Sequence, residues 1–405
     1  MKSSTKCGIC NSDNLEEILK TKPLPISTRY LSNQKKKEFL KPMKMGLCQG
    51  CGLFQIINPV YYGELVPLYD WINYNEPEDH LDKVCSVIRE IKGVGKELCF
   101  AGLTYKDDTT LARLKKINAF DVWRIDPLKD LNITERNHNI ESIQEKVSYI
   151  DEKKLLKEYK KADIMLVRHI LEHTHHTKLF SNSLKKMVNS DALLVFEVPD
   201  CTEALKHNDY TTLWEEHRYY FTPETFLRSL EILGYEIVKF ECYKYPHENS
   251  LVAFVYPSET IKSTYLRKSS IGNELEVATK FAKNIYKQKN ILHKNLKKIL
   301  SKNGKISIFG AGHLSSMFIN IMDCASEIEC VIDDDPNKQN LFMPGSRVKI
   351  LDSTSLYNND ISLCLTAVSP ASEEKIRSNN KDFVSGGGIF TSIFPQSQNN
   401  IFNII

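Results

Sequence analysis

Four cysteines stand in two pairs, Cys7-Gly-Ile-Cys10 and Cys48-Gln-Gly-Cys51. Two intervening residues let each pair sit on a tight knuckle, and two knuckles can give four thiolates to one tetrahedral zinc ion. Glycines beside the cysteines permit the turns whose backbone N–H groups point at the sulfurs. Four thiolates leave no open coordination position, so Cys7, Cys10, Cys48 and Cys51 are expected to hold a structural Zn2+. The other cysteines, at 85, 99, 201, 242, 324, 330 and 364, lie mostly in apolar surroundings and read as buried hydrophobes.

A second chemical feature is the run Phe309-Gly-Ala-Gly-His-Leu-Ser-Ser316, which follows a strand-like segment and precedes an apolar helix. A glycine turn in that setting can cradle a phosphate, which singles out Gly310, Gly312 and His313. Asp333-Asp-Asp335 follows about 20 residues on, where dinucleotide folds place a ribose-binding acid. A pyrophosphate or sugar ligand, a structural turn and a dinucleotide all stay open here. His173, His175 and His176 look metal-like, but neighbours at a helix start point to different faces, so no three-ligand site is expected.

The elements that must position these groups alternate. A helix is expected after Pro77-Glu-Asp-His80, ending near Gly93 and Gly95, then strands near 97–101, 121–125, 164–167, 192–198 and 235–240 with helices near 109–117, 152–161, 177–188 and 223–233. Such alternation implies βαβ units and a parallel sheet. A long helix or helix pair over 265–302 leads to a second series, with strands at 305–309, 329–332 and 362–366. The fold class is therefore α/β: a zinc-binding domain over 1–74, a doubly wound domain over 75–258, a helical linker over 259–302 and a second Rossmann-like domain over 303–405.

Ala162-Asp-Ile-Met-Leu-Val-Arg-His-Ile-Leu-Glu-His173 resembles the fourth-strand motif of class I S-adenosylmethionine methyltransferases. Across nearly its whole length the chain is similar to the sugar C-methyltransferases that act on nucleotide-linked 4-keto-deoxysugars. Cys48-Gln-Gly-Cys-Gly-Leu-Phe-Gln55, Glu216-His-Arg-Tyr-Tyr-Phe221, His247-Glu-Asn-Ser-Leu251, Gly310-Ala-Gly312 and Asp334-Asp-Pro-Asn-Lys-Gln339 carry this resemblance. It implies a class I methyltransferase core, S-adenosylmethionine as cofactor and C-methylation beside a sugar carbonyl.

The same resemblance implies cofactor contacts from Gly102, Asp108, Asp126, Arg168 and His169, with Asp126 accepting ribose hydroxyls. His80, His173, His247, Ser250, Gly310, Gly312 and His313 are expected at the substrate. His217 matches the family's histidine, and a pKa near ~6.5 suits it to proton transfer at neutral pH. Glu216 would orient it, and Tyr219 or Tyr220 would supply a phenol. The family's tyrosine falls on Trp214 and its glycine-rich loop becomes Gly102-Leu-Thr-Tyr-Lys-Asp-Asp-Thr109. The alternative is a methyltransferase fold that acts on or binds a nucleotide-sugar without methyl transfer.

Hydrophobic residues at 41% of 405 suffice for more than one core. The net charge of +3, from 54 basic and 51 acidic residues, gives no field for nucleic acid or anionic lipid. With no ~18-residue apolar run and no apolar leader, a soluble cytoplasmic monomer or homodimer is expected.

Overall fold

The strands, in chain order, begin with β1 (Leu15–Pro25), β2 (Leu40–Cys48) and β3 (Phe54–Ile56). There follow β4 (Leu98–Gly102), β5 (Ala119–Arg124), β6 (Ala162–Arg168), β7 (Val188–Asp200), β8 (Tyr219–Tyr220), β9 (Tyr235–Tyr243) and β10 (Asn249–Pro257). The last are β11 (Lys305–Phe309), β12 (Cys330–Ile332), β13 (Ile350–Leu351), β14 (Ile361–Thr366) and β15 (Ile389–Ser392). This computed structural model describes residues 6–72, 76–93, 97–116, 119–134, 137–259, 270–302 and 304–403. Gly95 and residues 260–269, part of the expected helix stop and linker, lie outside them.

The largest sheet has the order β5-β4-β6-β7-β10-β9. β5, β4, β6 and β7 are parallel, and β10 is inserted antiparallel between β7 and β9. Parallel strands covered on both faces must be apolar throughout. Ile164, Leu166, Leu193, Val195, Val252 and Phe254 accordingly pack with Val84, Cys85, Val87 and Ile88 of the helix Leu81–Lys92. Met165, Val167, Leu194, Phe196, Leu251 and Ala253 join the core on the other face, with Phe180, Leu184, Phe226 and Leu230. The expected α/β class with a largely parallel sheet is what the chain adopts.

A second sheet has the order β13-β12-β11-β14-β15, every neighbouring pair parallel. A third, small sheet runs β1-β2-β3-β8; its strands were not expected from the sequence. The chain divides into two compact units. The first comprises Met1–Glu17, Gly46–Cys201 and Glu216–Leu275; the second comprises Ile18–Met45, Thr202–Glu215 and Glu276–Ile405. These units interleave along the chain, whereas the divisions at 74, 258 and 302 follow sequence order.

Most expected elements occur within two or three residues of their places. The helix expected over 152–161 is only Glu152–Leu155, where Asp151 caps the N–H groups of Lys153 and Lys154. The longer helix nearby is Ile140–Ser148, capped by Asn139 and burying Ile140, Ile143 and Val147. The long connecting segment is one helix, Gly272–Leu300. Of the seven further cysteines, all but the half-buried Cys242 are buried.

Candidate active site and cysteine cluster

Cys7 and Cys10 flank a turn in which Asn11 takes φ +58° and its N–H bonds the carbonyl of Cys7. Cys48 and Cys51 flank another, where Gly52 at φ +79° donates to the carbonyl of Cys48. The two knuckles bring all four sulfurs together: Cys7 and Cys51 Sγ lie 3.7 Å apart, Cys10 and Cys48 Sγ 3.5 Å apart. A tetrahedron of thiolates with bonds of ~2.3 Å has edges of about 3.8 Å, so the sulfurs fit one zinc ion. Gln55 donates to Cys7 Sγ at 3.2 Å while its carbonyl oxygen accepts Gly8 N–H at 2.9 Å, an outer contact that orients the thiolate.

In the large sheet the strand order turns back at β4, and open α/β sheets bind ligands beyond the carboxyl ends of the strands at such a switch point. Here a carboxylate, Glu197 of β7, is 1% exposed and meets four groups. Arg168 Nε donates to its Oε2 at 2.5 Å. His80 Nε2 stands 2.9 Å from Oε1, His169 Nε2 3.2 Å from it, and Ser250 Oγ donates to it at 2.7 Å. Burial opposes a charge on Glu197, but Arg168 and His169 hold its carboxyl well below the ordinary range. Burial likewise opposes a charge on His169, yet Glu76 and Glu197 push it up to about 10. His169 sits at φ +48°, an unfavourable conformation for a residue with a Cβ, fixed by its N–H bond to the Glu197 carbonyl.

Beside this lies a second cluster. Glu141 of the helix Ile140–Ser148 takes His173 Nδ1 at 2.6 Å. The His173 ring meets half-buried His217 edge to face, centroids 4.7 Å apart. Ligating atoms of Glu141, His173 and Glu216 lie within 4.8 Å of one another, as do those of Glu172, His173 and His217. Burial, followed by the positive charges of Lys106 and His169, lowers the His173 pKa well below its ordinary value. His173 and His175 face the two oxygens of Glu141, at 2.6 and 3.9 Å, while His176 turns to Glu145, so the three clustered histidines do not converge on one point.

Arg168, His169, His80, His173, Ser250, Glu216 and His217 are thus brought to one region. Half-buried His247 lies in the turn between β9 and β10. Tyr219 and Tyr220 find partners away from it: the Tyr219 hydroxyl pairs with Thr177 at 2.6 Å, and the Tyr220 ring packs on Phe54. Asp126 is exposed beyond the end of β5, where its Oδ1 accepts the N–H groups of Leu128 and Lys129. Asp108 pairs with Arg124 at 2.7 Å.

A Cβ on Gly102 would meet Asp107 Cβ at 2.8 Å, because the loop after β4 folds its own carboxylate inward. Asp107 Oδ2 accepts Leu103 N–H at 2.8 Å and Thr104 N–H at 3.0 Å. Burial pushes its pKa up to about 6 against those bonds and Arg168. Glu141, Glu172 and Glu197 escaped the sequence reading, although a glutamate inside the apolar strand Phe196-Glu-Val198 is the kind of buried polar residue that signals a site.

In the second unit, Gly310 takes φ +103° and Gly312 precedes the helix His313–Met322. A Cβ on Gly312 would meet nothing within 4 Å. Ala311 N–H already bonds Asp333 Oδ2 at 2.8 Å. Trp214 stacks on His313, centroids 4.5 Å apart and planes 19° apart, and donates from Nε1 to Ser27 Oγ at 3.1 Å. Glu215 Oε1 accepts Ser27 N–H and Oγ–H at 2.6 and 2.8 Å.

Residues 105–239 match the model of a methyltransferase domain, and residues 258–395 that of a C-methyltransferase C-terminal domain. The C-methyltransferase NovU of Streptomyces niveus is 20% identical over 412 residues, covering 96% of both chains. Solved structures that resemble part of the chain include the 1,6-didemethyltoxoflavin-N1-methyltransferase of Burkholderia thailandensis, at 12% identity and TM-score 0.32, covering 45% of this chain and 80% of that one. Another is the magnesium protoporphyrin IX methyltransferase of Synechocystis PCC 6803, at 13% identity and TM-score 0.30, covering 46% and 90%. The chain is a methyltransferase in which a methyltransferase domain is followed by a C-methyltransferase C-terminal domain.

Proposed function

We propose that the enzyme methylates a carbon beside the carbonyl of a nucleotide-linked keto-deoxysugar, with S-adenosylmethionine as methyl donor. The observation that carries this reading is the meeting of His217 with the Glu141-held His173 at 4.7 Å, near the sheet's switch point. C-methylation next to a carbonyl needs a base for an acidic C–H, and this is where a positioned imidazole stands. The C-methyltransferase relative supports the same class of chemistry.

Asp126 has the charge and place to accept ribose hydroxyls, with Gly102, Asp108, Arg168 and His169 around the ends of the neighbouring strands. S-adenosylmethionine, when bound, supplies an electrophilic methyl group. His217 takes the proton from the sugar carbon, and the adjacent Glu216 orients it. His80, His173, His247 and Ser250 bind the sugar; Gly310, Gly312 and His313 bind a phosphate or sugar group. Cys7, Cys10, Cys48 and Cys51 hold Zn2+ in a structural role.

His217→Asn is expected to slow exchange of the sugar C–H proton with deuterated water by on the order of 10²–10⁴ while leaving the fold intact. Exchange at the wild-type rate removes His217 from the mechanism. Asp107 favours a second reading, since it already occupies the N–H groups of Leu103 and Thr104. If calorimetry finds no binding of S-adenosylhomocysteine, the chain acts on or binds the nucleotide-sugar without methyl transfer.

A further inference from the structure

Glu172 follows β6 by four residues and is 0% exposed. Among the described residues neither of its carboxyl oxygens accepts or donates a hydrogen bond. His169 Nδ1 comes only to 3.6 Å of Oε1, too far for a good bond. The backbone is held nevertheless: the Glu172 carbonyl accepts Arg218 N–H at 2.8 Å, tying the segment of β6's loop to the segment that carries His217. An orphaned buried polar group costs about 1–3 kcal/mol, so a native chain that keeps one usually has a use for it. One of its oxygens lies within 4.8 Å of a ring nitrogen of His173 and one of His217.

We propose that Glu172 is a catalytic residue whose carboxyl group receives the carbonyl oxygen of the substrate. The assignment rests on the enolisation reading given above. In that step the C–H bond breaks and its proton passes to His217; the bonding pair becomes the new C=C bond, and the carbonyl pair moves onto oxygen. Burial raises the Glu172 pKa against the pull of His169, and the carboxyl group, when protonated, donates a hydrogen bond to that oxygen as its charge grows, the proton staying on Glu172. S-adenosylmethionine, when bound, would supply the methyl group to the carbon so activated. The geometry suits the pairing because the hydrogen removed and the oxygen charged sit on adjacent carbons, and one acid and one base side by side can reach both. The ligand class is therefore a ketone with an enolisable hydrogen, not an alcohol or a carboxylate.

The test compares wild type, Glu172→Gln and Glu172→Leu with dTDP-4-keto-6-deoxyglucose in deuterated water, reading exchange at saturating substrate beside thermal stability. Glu172→Leu should lose on the order of 10²–10³ in exchange rate, as when an oxyanion donor is removed. Its Tm should rise, because a buried carboxyl group without a hydrogen bond is replaced by an apolar one. Glu172→Gln keeps a donor and should retain more exchange than the leucine variant. A Glu172→Leu protein that exchanges at the wild-type rate, or whose Tm falls with its activity, overturns the assignment of Glu172 alone. A wild-type protein that exchanges nothing overturns the enolisation reading, and the assignment with it.

Discussion

Glu197 concentrates the electrostatics of the large sheet in a single side chain. Its two oxygens serve Arg168, His80, His169 and Ser250, so truncating it strands a guanidinium and an imidazolium in a buried place. Glu197→Ala is expected to cost about 3–5 kcal/mol, read from urea denaturation at pH 7. The sign with pH follows from His169. Its folded pKa is raised to about 10, so the stability it contributes is complete below ~6.5 and is lost as the pH climbs through about 10. The gap between wild type and the alanine variant should narrow over that upper range; a gap independent of pH would separate His169 from the effect.

Turns decide how the elements present these residues. Gly310 is the sharpest case: at φ +103° a Cβ would come within 3.0 Å of the Ala367 carbonyl and 2.8 Å of Val368 Cγ1. Gly310→Ala should therefore cost about 1–3 kcal/mol in calorimetric stability, and no loss would mean that the turn between β11 and its helix is free to relax. That turn was legible, because glycines between an apolar strand and an apolar helix have few other meanings. So were β6, β7 and β14, whose apolar runs are the plain mark of strands buried on both faces.

The small sheet was not legible. Glu16, Glu17, Lys20 and Lys22 give β1 a polar, half-exposed run with little alternation to see. The helix Ile140–Ser148 was within reach, since Asn139 caps it and Ile140, Ile143 and Val147 share a face. Missing it hid Glu141, whose partnership with His173 joins residues 32 apart. Such long-range pairs leave no trace in local spacing, which is why His173, His217 and the neighbouring Glu216 could be named in advance and Glu141 could not.

For the molecule as a whole, no helix among the described residues is long and apolar enough to cross a membrane, and the four cysteine sulfurs lie close enough to hold one metal ion. Elemental analysis is expected to give about one zinc per chain. Cys48→Ser should lose the metal and lower Tm by about 10 °C or more, since structural zinc sites contribute many kcal/mol and each is worth roughly 2–4 °C in a domain of this size. Retention of zinc with an unchanged Tm would show that the four sulfurs do not act as one site.

The interleaving of the two units bears on how the polypeptide is made. The chain passes from one unit to the other after residues 17, 45, 201, 215 and 275. On a ribosome, where domains ordinarily fold one after another as they emerge at about 5–20 residues per second, the first unit must wait for its last stretch, Glu216–Leu275. Until then β7 has neither β10 beside it nor Ser250 against Glu197. The nascent chain meanwhile carries Ile18–Met45 and Thr202–Glu215 with no completed unit to receive them. A gene cut at any single point would likewise separate stretches that belong together, so neither half is a natural unit of expression.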